Sequence, residues 1–118
     1  MMDSTGWKEK AQLELQQAER ARQAGNEGKA RVCSRRAAGH IAGEYLSRQG
    51  TPARSASAIA RLQQLASLPA VEPLVRTAAG HFLLRITPDH TLPVDADLIA
   101  ETRWLALQLL GESIDPDD

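Results

Sequence analysis

The chain of 118 residues is 42% hydrophobic and 25% charged, with a formal net charge of −1; that length fits one domain, and that apolar content excludes a disordered chain. Aromatic residues make up only 3%, so the core is drawn from Leu, Ile, Val and Ala, which suits close helix packing better than sheets. The single cysteine, Cys33, excludes an intrachain disulfide and a cysteine-based zinc site.

Thr5 to Ala24 reads as the first helix. Ser4 or Thr5 can cap it, since either hydroxyl accepts from a free amide of the first turn. Trp7, Ala11, Leu15 and Ala18 fall on one face, and Gly25-Asn26 supplies the left-handed stop. The second helix, Glu27 to Gln49, carries Ala30, Ala37, Ala38, Ile41 and Tyr45 on one arc, with Gly39 and Gly43 beside it. Small residues admit a close neighbour, at about 1 kcal/mol of helix propensity per Gly relative to Ala. Gly50 closes this helix.

Thr51-Pro52 predicts the start of a third helix, with Thr capping and Pro in the first turn. Ile59, Leu62, Leu65 and Ala66 form its stripe, and Pro69 stops it. The fourth helix lies in Glu72 to Asp89, opened by Pro73 and closed before Pro88, with Val75, Ala79, Phe82 and Ile86 stacked on one side. A proline-containing turn follows. Asp95 is then the expected cap of a fifth helix, with Asp97 in its first turn, where the dipole favours negative charge. This last helix is apolar almost all round, Trp104 and Leu107 included, so it is either central or lies between two chains. Glu112 to Asp118 reads as a frayed acidic tail. The pattern predicts an all-α, up-and-down bundle of four to five helices in one domain spanning residues 1–118. No period-two run or internal repeat competes.

Charge is unevenly placed. Residues 20–61 carry nine Arg and Lys against two Glu, whereas residues 86–118 carry eight carboxylates against Arg103. Such a basic stretch meets phosphate, an acidic protein, or the chain's own acidic end. Arg31, Arg35, Arg36 and His40 are its candidate binding residues. Arg36, His40 and Glu44, four apart, predict a polar line of salt-bridged side chains. Cys33 reads as a small buried residue. His90 falls in the turn-rich segment, and three scattered histidines argue against a metal site. No secretory leader is legible in MMDSTGWKEK, and no run approaches the ~18 apolar residues of a membrane span. The expectation is a cytoplasmic protein without a cofactor.

The one spacing that suggests catalysis is Arg76-Thr-Ala-Ala-Gly-His81, echoed by Arg35-Arg-Ala-Ala-Gly-His40. A histidine beside an arginine can cleave RNA without metal: the imidazole moves the proton of the ribose 2′-OH or of the leaving oxygen, and the guanidinium binds the phosphate. Five residues along a helix separate the two side chains by about 140°, so the arginine must reach round or pair with a histidine of a second chain.

With these motifs the chain resembles a HEPN (higher eukaryotes and prokaryotes nucleotide-binding) domain. The resemblance rests on the Ala-rich second helix ARVCSRRAAGHIAGEYLSRQG, on Leu68-Pro69 and the helix after it, and on the ending LLRITPDHTLPVDADLIAETRWLALQLL. Arg76 and His81 match the family's Arg-x4–6-His spacing. The resemblance implies a helical bundle and a homodimer, with two Arg-His pairs meeting across the interface, and in toxin members a nucleotidyltransferase partner. Three functions follow as expectations: a non-catalytic interaction module that binds RNA or a nucleotide; a metal-independent endoribonuclease using Arg76 and His81; and a structural subunit whose basic and acidic segments pair between chains. The dimer is expected through the last helix, at Trp104 and Leu107.

Overall fold

The computed structural model describes residues 5–84, 94 and 96–115. Among them are five helices and no strand: α1 (Thr5–Gln23), α2 (Glu27–Arg48), α3 (Ala58–Ala66), α4 (Pro73–Phe82) and α5 (Leu98–Leu110). The predicted all-α bundle is the observed architecture. In α1 the stripe Trp7, Ala11, Leu15 and Ala18 is buried, extended by Ala21. The cap assigned to Ser4 or Thr5 lies outside the described side chains. Asn26 joins α1 to α2, and its side chain accepts from Lys29 N at 3.0 Å, capping α2.

The centre of the bundle is α2, not α5. It packs against α1, α3 and α5, while α4 closes on α3 and α5. Nine residues of α2, from Ala30 to Leu46, are buried. Its small side chains let α1, α3 and α5 approach it closely. Ile41, Leu46, Leu62, Leu65 and Leu105 are almost wholly enclosed, each contributing about 1.5–3 kcal/mol on removal from water. On α5, Leu98, Ile99, Thr102, Leu105, Ala106 and Leu110 are buried, but Leu107 is 51% exposed.

The third helix starts later than its sequence suggests. Ser57 caps it, accepting from Ala60 N at 3.3 Å, and Thr51-Pro52 lies in a preceding irregular segment. That segment is strapped to the helix it precedes. Gln64 Nε2 donates to the carbonyls of Thr51 and Pro52, Gln64 Oε1 accepts from Arg54 N, and Arg61 Nε donates to Ser55 O. Ile59, expected in the stripe, is 43% exposed.

Pro73 opens α4 as predicted, but the helix ends at Phe82, with Leu83 as its C-cap; Ile86 and Pro88 lie outside the described residues. The cap of α5 is Asp97, whose Oδ1 accepts from Ile99 N and Ala100 N; Asp95, the predicted cap, is outside the described residues. Gly111 ends α5 in the left-handed region (φ 67°). Beyond it, the expected frayed tail packs back as far as Asp115. Ile114 is 2% exposed, Glu112 meets Lys8 and Arg48, and Asp115 accepts from Arg103 Nε at 2.8 Å.

Candidate functional site: a basic groove between three helices

Arg76 and His81 leave α4 towards different elements. Arg76 Nε donates to Ala66 O at 3.0 Å, and its Nη2 donates to Leu68 O at 2.8 Å and Val71 O at 3.4 Å. These carbonyls end α3 and form the turn into α4. A guanidinium suits them because they have no intrahelical donor and sit at the negative end of the helix dipole. His81 instead faces α5. Its Nδ1 lies 2.6 Å from Glu101 Oε1; an ionised carboxylate only accepts, so Nδ1 carries the hydrogen and donates, and Nε2 is the remaining ring nitrogen. The other oxygen, Glu101 Oε2, is buried and has no partner among the described residues. Within one chain, then, the Arg-x4-His spacing yields a turn clamp and a histidine–carboxylate pair, not an assembled arginine–histidine site.

A different cluster comes together around the middle of α2. The step Gly39-x3-Gly43 forms a notch that α3 enters. A Cβ on Gly39 would lie 2.6 Å from Ala58 Cβ and 2.8 Å from Ala58 Cα, and one on Gly43 would lie 2.6 Å from Arg61 Nη1. Arg61 therefore lies across bare backbone, and its Nε is fixed to Ser55 O at 3.0 Å. Beside it opens a groove of about 290 Å³ lined by Arg36, His40 and Arg61, with Glu14 on the α1 side. A second volume of about 340 Å³ shares Glu14, Arg36 and His40 and is completed by Lys10, Leu13 and Gln17. On α1 the four positions 10, 13, 14 and 17 fall on one face.

Burial, with the charges of Arg61 and Lys10 added, holds the His40 imidazole below the ordinary histidine range. At neutral pH the groove therefore presents three permanent cations, a neutral imidazole and one carboxylate. Lys10, Arg36 and Arg61 make no salt bridge among the described residues. The expected salt-bridged line is not formed, because Glu44 accepts from Arg48 Nε at 2.8 Å and leaves Arg36 and His40 to the groove.

Of the four binding residues expected from sequence, Arg36 and His40 line this groove, whereas Arg31 and Arg35 do not. Arg31 lies close enough to Glu27 to help lower its carboxyl, after Arg22. Lys10, Glu14 and Arg61 were not among the expected residues. The Gly39-x3-Gly43 step was the available signal for Arg61, since a notch on α2 needs an occupant from another helix. Among the described residues no group of three or more His, Cys, Asp or Glu is placed to hold a metal ion, and no helix is long and apolar enough to cross a membrane. Cys33 is buried. His90 lies outside the described residues. Compared with known protein families, curated proteins and solved structures, the chain matches none.

Proposed function

We propose that this chain is a small helical RNA-binding module of HEPN type, without catalytic activity of its own, that takes the phosphodiester backbone in the α1–α2–α3 groove. The observation that carries this reading is the convergence of Lys10, Arg36 and Arg61 from three helices on one groove with Glu14 as the opposing charge. Guanidinium forks suit phosphate oxygens. His40 is consistent with it: burial first, and then the charges of Arg61 and Lys10, hold the imidazole below the ordinary histidine range.

The test is fluorescence anisotropy with a labelled single-stranded RNA of about eight nucleotides, at about 50 and about 200 mM salt. Three phosphate contacts give a slope of log affinity against log salt of about −2. The double variant Arg36→Ala/Arg61→Ala is expected to weaken binding at least tenfold while remaining folded by circular dichroism, with a lower melting temperature because Arg61 loses its bond to Ser55 O. Absence of binding at low salt, or binding indifferent to the double variant, refutes the reading.

A second reading, a metal-independent endoribonuclease, is favoured by one observation: the 2.6 Å His81–Glu101 contact, which orients the imidazole and leaves Nε2 free to take a proton. Arg76, already donating to three carbonyls, would then need a partner chain to act on phosphate. Cleavage in EDTA that His81→Ala abolishes would establish this reading; cleavage that persists in the variant would remove His81 from it. The homodimer through α5 rests on Leu107, since Trp104 packs against the core of its own chain. A monomer by light scattering at high concentration refutes that pairing.

A further inference from the structure

The groove contains a residue that phosphate binding does not explain. Glu14 lines both of its volumes, yet makes no salt bridge with Lys10, Arg36 or Arg61 among the described residues. An unpaired carboxylate weakens phosphate binding at close range, so Glu14 is out of place in a site for phosphate alone. Immediately before it in the chain, Leu13 is 61% exposed on the wall of the second volume, and Gln17 follows one turn later on the same face. The second compartment thus combines an apolar surface, an acceptor-only carboxylate and an amide, next to the cations of the first.

We infer that the groove selects guanine in its RNA ligand, with the phosphate on Arg36 and Arg61, the base over Leu13 and the base edge donating to Glu14. This rests on the RNA-binding reading and names the base it prefers. The chemistry is that of matched forks. An ionised carboxylate offers two oxygens that only accept. Guanine presents N1–H and an N2 amino group side by side, so two parallel N–H···O bonds form. Cytosine and adenine each place an acceptor nitrogen beside their amino group, which faces one oxygen unfavourably. Uracil places a carbonyl on both sides of its single N–H. The groups facing this edge from each neighbouring helix are Lys10 and Gln17 on α1, Arg36 and His40 on α2, and Arg61 on α3. The cations of that set hold the phosphate.

The test compares an RNA of about eight uridines with the same RNA carrying one central guanosine, and with its cytidine and adenosine counterparts, by anisotropy competition at low salt. Wild type is expected to prefer the guanosine RNA about tenfold, within the range of one bidentate base contact. Glu14→Gln, which keeps shape but replaces one acceptor oxygen by a donor, is expected to bring that ratio to about one, with the uridine RNA bound as tightly as before or more tightly. A melting curve for Glu14→Gln that overlays wild type removes misfolding as the cause, and Glu14→Ala must give the same loss of preference. Equal binding of all four RNAs by wild type, or a guanosine preference that survives Glu14→Gln, overturns the inference and leaves the RNA-binding reading standing. Loss of all RNA binding in wild type overturns both. Loss confined to Arg36→Ala/Arg61→Ala supports the phosphate half of the groove, on which the inference depends.

Discussion

Two glycines one turn apart on α2 should respond to the same substitution with opposite signs. At Gly39, an added Cβ meets Ala58 Cβ at 2.6 Å and Ala58 Cα at 2.8 Å. Both neighbours are fixed to the start of α3, so relief requires the helix to move. Overpacking of this kind costs about 1–3 kcal/mol, against about 1 kcal/mol regained from replacing Gly by Ala in a helix. Gly39→Ala should therefore lower stability by about 1 kcal/mol net. At Gly43, the added Cβ meets Arg61 Nη1 at 2.6 Å, Cζ at 3.0 Å and Cδ at 3.3 Å. These atoms belong to a flexible side chain that can swing into solvent. Gly43→Ala should then keep most of the propensity gain and raise stability by about 0.5 kcal/mol. It should also weaken RNA binding, since Arg61 loses its seat. Urea unfolding followed by circular dichroism measures both; at a slope of about 2 kcal/mol per molar, the midpoints should separate by roughly 0.7 M. A Gly39→Ala protein as stable as wild type, or a Gly43→Ala protein less stable than Gly39→Ala, refutes the close approach of α3 to α2.

Arg76→Ala should lower stability by about 1–2 kcal/mol by removing its bonds to three carbonyls at the α3–α4 turn, of which Leu68 O keeps only its contact with Val71 N. Arg76→Lys should not restore it, because an ammonium lacks the planar fork; full rescue in thermal melts would deny the clamp. His81→Ala should destabilise more than the double variant His81→Ala/Glu101→Leu, because the single change strands a carboxylate with one oxygen already buried and unpartnered. A double-mutant cycle reads a coupling of about 1 kcal/mol, and simple additivity would count against the pair. Folded His40 binds its proton less readily than the unfolded chain does, so its contribution to stability is complete above the ordinary histidine value of about 6.5 and is lost as pH falls through it. Bound RNA reverses the preference, so affinity should rise as pH falls through the same range. His40→Ala should flatten both profiles, and unchanged pH dependence in that variant would remove His40 from the groove.

The parts of the fold that were legible in the sequence are those that depend on a single helix. The α1 stripe and the Pro73 start of α4 are local signals, and each is where it was expected. The start of α3 was not legible, although Thr51-Pro52 carries the local chemistry of a helix start. The competing conformation is held by Arg61 and Gln64, side chains about one and two turns inside the helix that reach back to carbonyls of the segment before it. No local rule weighs those contacts. The Arg76–His81 spacing forms no pair within one chain, for a related reason. Each side chain found a better partner on another element, Arg76 at the end of α3 and His81 on α5. The groove was half legible: Arg36 and His40 share a face of one helix, but Lys10 and Arg61 join them only through tertiary packing.

The opposed charges of the two segments can be assigned residue by residue. Among the described residues 94 and 96–115, every carboxylate has a partner in its own chain. Asp97 meets Arg22, Glu101 meets His81, Glu112 meets Lys8 and Arg48, and Asp115 meets Arg103. Burial opposes ionisation of Asp97, yet Arg22 and the amides of Ala100 and Ile99 hold its carboxyl below the usual range. Only Arg22 and Arg48 of the basic segment enter these pairs, and both lie near the ends of their helices. Arg36 and Arg61 lie on the opposite side of that division, with no carboxylate in salt-bridge range among the described residues. Self-pairing and polyanion binding are therefore not rival uses of one charge pattern, because they draw on different arginines. Pairing between chains is the use that loses ground, since the carboxylates it requires are already engaged at home. Exposed pairs of this kind contribute less than about 1 kcal/mol each, so salt should weaken RNA binding steeply while lowering the melting temperature only slightly.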